Sequence, residues 1–269
     1  MKKIDIFECT VTTKRPFGCM ELWAGNERVH RQLELAGLEG DIIALPSGSE
    51  SGGDLSAVFS CSDDIARVVL ADCVGHGYEA SGVARHVHKL LHKFQDVEDT
   101  PALLGALNDE FTLSNEGAEG PLRLTTVVTG TFDSRTGEFR YAYAAHPRML
   151  QWVAREGRFL ELGEGLGGMP MGIATGEQYL EQSIRLLPGD MIVAFSDGAT
   201  EIFSASGEEL TSRGFLRLAE ATIKQMAAPA VLHNFSETLL DRLQAYRGGA
   251  GDLADDVTLM TLRHGSGGA

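Results

Sequence analysis

The amino-acid sequence predicts an α+β fold. Strand-like runs follow one another in series, and helical patterns come in pairs instead of alternating with strands. Short turn signals such as SRTGE at 134–138 join neighbouring runs, which implies antiparallel pairing. With 269 residues, 43% of them hydrophobic, the chain can bury a sizeable core, and one main domain is expected.

The elements follow in order. Residues 4–11 (IDIFECTV) read as a strand, 19–25 (CMELWAG) as a second apolar piece, and 26–37 (NERVHRQLELAG) as a short polar helix. Two strand-like runs, IIAL at 42–45 and LSAVFSC at 55–61, flank the loop PSGSESGG, and IARVVLAD at 65–72 follows. From 78 to 94 the apolar residues Val83, Val87, Leu90, Leu91 and Phe94 recur at threes and fours, which marks one buried helix face. A second helix opens with Thr100 as N-cap and Pro101 in its first turn.

Next come LTTVVTGTF, EFRYAYAA and MLQWVA, read as a three-stranded meander, then a glycine-rich loop over 163–177. YLEQSIRLL and MIVAFSD, joined by PGD, read as a hairpin. Helices over 215–226 and 231–246 lead to the last strand, VTLMTLR. Residues 1–40 are expected to be an N-terminal extension packed on the main domain at 41–264, too short for a separate sensor domain, with 265–269 a disordered tail.

A net charge of −15 repels phosphate backbones and anionic headgroups, so neither nucleic acid nor a membrane is an expected partner. The N-terminus lacks a signal-peptide pattern and no apolar stretch reaches the length of a span, which points to a cytoplasmic protein. Cys9, Cys19, Cys61 and Cys73 show no CxxC spacing and are read as buried free thiols.

Four acidic motifs recur where an apolar run meets a glycine-rich turn: GGD with Asp54, ADCVGHG with Asp72, FSDGATE with Asp197, and DDVTLM with Asp255 and Asp256. Carboxylates presented at strand ends suit a hard cation such as Mg²⁺ or Mn²⁺, which prefers oxygen ligands. Taken singly, each is more often a turn former. His86, His88 and His92 offer neither the third ligand nor the glutamate of a zinc helix, and are read as unrelated to metal. GEGLGG matches a dinucleotide pattern but has strand-like sequence on both sides, so it is read as a loop flanking the active site. His146-Pro147 is read as a strand-ending turn.

The motifs, in this order, resemble the metal-dependent serine/threonine protein phosphatases of type 2C, in the bacterial SpoIIE-type or RsbU-like branch. GGD, DxxGHG, the hairpin ending in AAHP, a GxPxG loop, LLPGDMIVAFSDGATE and DDVTL all occur in family order between residues 41 and 263. The resemblance implies a sandwich of two packed antiparallel sheets flanked by helix pairs. It implies two Mn²⁺ or Mg²⁺ ions, with Asp72 bridging them, Asp197 and Asp255 completing one, and Asp54 with the Cys73 backbone carbonyl completing the other. Asp255 is preferred to Asp256 because the first acid of the pair aligns with the family's ligand.

The reaction implied is hydrolysis of phosphoserine or phosphothreonine by an activated water, with Asp72 and Asp197 as catalytic residues and His76 as a candidate general acid. The implied substrate is a phosphorylated regulatory protein, an anti-sigma-factor antagonist in the family, and homodimer formation is left open. Leu55, Ser56 and Ala57 follow Asp54 where many relatives carry an acid at the third place. That departure motivates the alternative of a phosphatase-fold binding module with little or no turnover.

Overall fold

Alternation along single strands explains the layering. In β5 (Ile65–Cys73) Ala66, Val68 and Leu70 enter one buried cluster, while Val69, Ala71 and Cys73 enter another, because successive side chains leave a strand on opposite faces. The computed structural model describes residues 19–24, 29–47, 52–75, 77–116, 122–226, 232–248 and 253–265. Its other strands are β1 (Cys19–Ala24), β2 (Val29–Leu35), β3 (Leu38–Leu45), β4 (Leu55–Ser60), β6 (Thr125–Asp133), β7 (Glu138–Ala144), β8 (Leu150–Val153), β9 (Arg158–Glu161), β10 (Glu181–Arg185), β11 (Met191–Phe195) and β12 (Val257–His264). The helices are α1 (Gly77–Lys93), α2 (Thr100–Asn115), α3 (Thr211–Gln225) and α4 (Leu232–Arg247).

Sheet one runs β1-β4-β5-β6-β7-β10 and sheet two β2-β3-β12-β11-β8-β9, and every strand pair in them is antiparallel. Between the sheets lie Val68, Leu70, Phe132 and Tyr141 from sheet one, and Ile42, Ile192 and Met260 from sheet two. On the outer face of sheet one, α1 and α2 bury Val83, Val87, Leu91, Leu104 and Leu107. Phe215, Ala219, Phe235 and Leu239 of α3 and α4 cover sheet two. The expected α-β-β-α sandwich is the fold, and burial of these three layers is its main driving force.

Several local expectations are corrected. The helix expected over 26–37 is a strand where the chain is described: β2 pairs with β3 through the turn Ala36-Gly37, both at positive φ (46° and 77°). The meander breaks after its second strand, because β6 and β7 pair in sheet one whereas β8 pairs with β9 and β11 in sheet two. The PGD turn joins no hairpin either, since β10 pairs with β7 and β11 with β8 and β12. The N-cap of α2 is Asp99, whose carboxylate accepts from the Ala102 amide at 2.8 Å, one residue before the expected Thr100. Strand β9 was not foreseen.

The expected boundary at residue 40 falls inside β3, while β1 and β2 each form an edge of a sheet. Residues 4–11 and 266–269 lie outside the described residues. Cys73 is a buried free thiol and Cys61 a half-buried one. No helix among the described residues is long and apolar enough to cross a membrane. One polar side chain is built into the packing on the helix side of sheet one. Arg67 is 1% exposed, gives its Nε to Thr131 Oγ1 at 3.1 Å and its two terminal nitrogens to the carbonyls of Val97 and Glu98, so it pins the α1–α2 connection to the sheet.

Candidate metal centre

At one end of the sandwich the rows that face between the sheets change from apolar to polar. The row of β5 runs Ala66, Val68, Leu70 and then Asp72, and that of β4 runs from Val58 through Ser56 to Asp54 just before the strand. In sheet two Met260 gives way to Thr258, and Ala194 to Ser196. Asp72 stands opposite Thr126 in the β5–β6 register, so their side chains share the inter-sheet face. Thr258 Oγ1 donates to Asp54 Oδ2 at 2.7 Å, joining the two sheets across this polar mouth.

Electrostatics place the four sequence-predicted carboxylates together. Burial pushes the Asp54 carboxyl up to about 8, against hydrogen bonds from Thr258 and Ser196 that lower it, with the charges of Asp256 and Asp197 adding to the rise. Asp72 is pushed up to about 9, first by burial and then by the charges of Asp54 and Asp197, a hydrogen bond with the Asp197 side chain, and the charge of Asp255. A hydrogen bond between two carboxyl groups needs a proton on one of them. Asp54 and Asp72, buried among further acids, ionise together near neutral pH only if positive charge joins them.

Backbone geometry brings the Cys73 carbonyl into the same place. A Cβ on Gly53 would stand 2.5 Å from that oxygen, so only glycine lets the GGD loop pass over it with Asp54 next in line. Gly198, in the short 3₁₀ turn Asp197–Ala199, is held as closely: a Cβ there would meet the Asp256 carbonyl at 2.0 Å. Asp197 begins that turn, and its carbonyl accepts from the Thr200 amide at 2.7 Å and the Thr200 hydroxyl at 2.9 Å.

Asp255 and Asp256 divide the work of their motif. Asp256, 6% exposed, accepts from the amide of Ser47 at 2.7 Å through Oδ1 and from the amides of Gly53 and Asp54 through Oδ2, so it folds the GGD loop into position. Asp255 is half-buried, caps the Asp256 amide at 2.8 Å and adds its charge to Asp72. Sequence reasoning missed the anchoring role of Asp256 and the inter-sheet polar residues Ser196 and Thr258. The signal available for the latter was a polar residue in an inward row just before the strand ends.

His76 lies outside the described residues. His88 and His92 stack on α1 with ring centroids 4.8 Å apart. Among the described residues no group of three or more His, Cys, Asp or Glu side chains is already drawn into a metal-holding arrangement. The donor set nevertheless fits a divalent cation: it is all oxygen, burial and crowding hold two of its carboxyls, Asp54 and Asp72, back from ionising, and a carbonyl stands beside them. The third residue after Asp54, Ala57, is fully buried among sheet one and its helices, where a carboxylate would have no water.

Comparison with known proteins agrees with this architecture. Phosphoserine phosphatase RsbU of Bacillus subtilis is 30% identical over 226 residues, covering 82% of this chain and 62% of RsbU, so the chain spans less than two thirds of that relative's length. The crystal structure of the RsbU and RsbW domains of a Mycobacterium tuberculosis protein superposes with a TM-score of 0.68 at 24% identity, covering 88% of this chain and 63% of that one. The PP2C phosphatase domain with a fragment of the regulatory domain of SpoIIE from Bacillus subtilis gives a TM-score of 0.68 at 14% identity, covering 91% and 70%. These two structures match in fold. The family model described as Stage II sporulation protein E (SpoIIE) matches residues 62–265, most of the chain, and the protein belongs to that family.

Proposed function

We propose that the protein is a metal-dependent protein serine/threonine phosphatase that hydrolyses phosphoserine or phosphothreonine in a regulatory protein. The observation that carries the reading is the convergence of Asp54, Asp197 and Asp255 on Asp72 at the polar end of the inter-sheet layer, beside the Cys73 carbonyl. Asp72 would be shared by two Mn²⁺ or Mg²⁺ ions, with Asp197 and Asp255 on one and Asp54 and the Cys73 carbonyl on the other. When bound, such ions supply Lewis-acid activation of a water and neutralise charge on the phosphoryl group.

The chain's own residues do the rest. Asp256 holds the GGD loop so that Asp54 meets Asp72, and Thr258 orients the Asp54 carboxylate. His76, four residues after Asp72 in sequence, would give a proton to the leaving serine oxygen, while the attacking water gives up its own proton to solvent, so that hydroxide ends on phosphate and the alcohol is released neutral. Support for a protein substrate comes from RsbU, a phosphoserine phosphatase by name, and from the RsbW domain present beside the RsbU domain in the mycobacterial structure. An anti-sigma-factor antagonist and the cytoplasm belong to this proposal as its substrate and location.

Hydrolysis of a phosphoserine peptide and of an aryl phosphate, with Mn²⁺ or Mg²⁺ and with chelator, tests the reading. Turnover should need the metal and fall about 100-fold or more in Asp72→Asn. A folded wild-type protein inert with every divalent ion contradicts it. Ala57 in place of an acid favours a second reading, a binding module of the same fold. Partner binding unchanged by chelator, without turnover, would select that one.

A further inference from the structure

His146 is 5% exposed and follows Ala145, a non-glycine residue held at φ 55°, a conformation that costs about 1 kcal/mol or more. His146 does follow the end of β7, but a strand end needs neither feature. Its Nδ1 lies 2.8 Å from Thr126 Oγ1, and Thr126 is the residue opposite Asp72 across the β5–β6 ladder. The neighbouring Thr125 hydroxyl donates to the Asp72 carbonyl at 2.9 Å. The backbone of Phe195, two residues before Asp197, also acts on the ring, and Nε2 is buried without a hydrogen bond. The imidazole thus links β6, whose Thr126 pairs with Asp72 in sheet one, to the end of β11 that leads into Asp197 in sheet two.

We propose that His146 is a positioning residue of the metal centre, an inter-sheet spacer that works through Thr126 on one side and the Phe195 backbone on the other to set the separation of Asp72 and Asp197. The inference rests on the metal-dependent reading of the site. It assigns a purpose to the strained Ala145, which precedes the buried ring, and to Nε2, a buried nitrogen otherwise without a partner. In that arrangement Nε2 carries the proton and Nδ1 accepts from the Thr126 hydroxyl. Burial keeps the ring neutral, with its protonation pushed down to about 3, so it adds no positive charge that would compete with the cations.

The test is calorimetric titration of Mn²⁺ into the full chain and into Thr126→Val, His146→Leu, His146→Asn and the Thr126→Val/His146→Leu double variant, with thermal denaturation in parallel. The expected result is a dissociation constant raised about tenfold in Thr126→Val and in His146→Leu, with no further loss in the double variant because both act in one chain of contacts. Partial recovery in His146→Asn, which keeps a neutral donor and acceptor, is also expected. Thr126→Val alters one hydroxyl and carries the test if His146→Leu does not fold. Unchanged Mn²⁺ affinity with lowered melting temperature makes His146 a packing residue only and overturns the inference, as do multiplying losses in the double variant. A wild-type protein that takes up no Mn²⁺ overturns the metal reading as well, whereas wild-type uptake with equally competent variants overturns the role of His146 alone.

Discussion

Thr258 and Asp54 are 204 residues apart in sequence, yet the hydroxyl of one donates to the carboxylate of the other at 2.7 Å and links the two sheets at the acidic mouth. The bond favours the ionised carboxylate against burial. Thr258→Val should therefore raise the Asp54 pKa further and weaken Mn²⁺ binding roughly tenfold. Calorimetry reads the affinity. An unchanged dissociation constant would mean that Asp54 is not a ligand or is oriented by something else.

The two acids of the DD pair should separate by measurement. Asp256→Ala leaves the backbone amides of Ser47, Gly53 and Asp54 without their acceptor and should cost about 2–4 kcal/mol in denaturant unfolding. Asp255→Ala removes one of the crowded charges acting on Asp72 together with the acceptor of one amide, so in chelator it should cost clearly less than Asp256→Ala while lowering metal affinity. If the two variants exchange these behaviours, the assignment of ligand and anchor is reversed.

In chelator, stability should fall as pH rises from about 4 to about 9. The sign follows from pKa values raised in the folded state: Asp54 and Asp72 ionise near 3.8 when unfolded and only near 8 and 9 when folded, so the unfolded chain binds fewer protons across that window. Saturating Mn²⁺ should reverse the slope, because ligands must lose protons to bind it. Melting temperatures across the window, with and without metal, check both signs, and parallel curves would contradict the coupling.

Arg67 should matter for stability and not for the chemistry. Arg67→Met strands the Val97 and Glu98 carbonyls and should cost about 2–4 kcal/mol in denaturant unfolding while leaving the Mn²⁺ dissociation constant within about twofold. A loss below about 1 kcal/mol would show that the α1–α2 connection is held by packing alone.

Much of this was legible because inward alternation writes each strand's burial into its sequence, and Asp72 and Asp197 end their runs visibly. The failures share a cause. Val29 and Leu33, four apart, fit a helix as well as a strand, and the turn Ala36-Gly37, with alanine at positive φ, closes the pairing with β3 that makes them a strand. The PGD turn between β10 and β11 carries a hairpin's composition while crossing from one sheet to the other, a choice set by tertiary packing. Asp255 and Asp256 are chemically identical, and what separates them is 200 residues away, at Ser47 and Gly53. His146 looked like a turn residue because nothing local reveals that Thr126 awaits it.

The most direct measurement is Mn²⁺ stoichiometry by calorimetry near pH 8 for the wild-type chain and Asp72→Asn, both verified as folded. Two ions per wild-type chain, with binding lost or reduced to one weak ion in the variant, is the predicted result. Equal uptake by both proteins, or none by either, would contradict a centre built around Asp72.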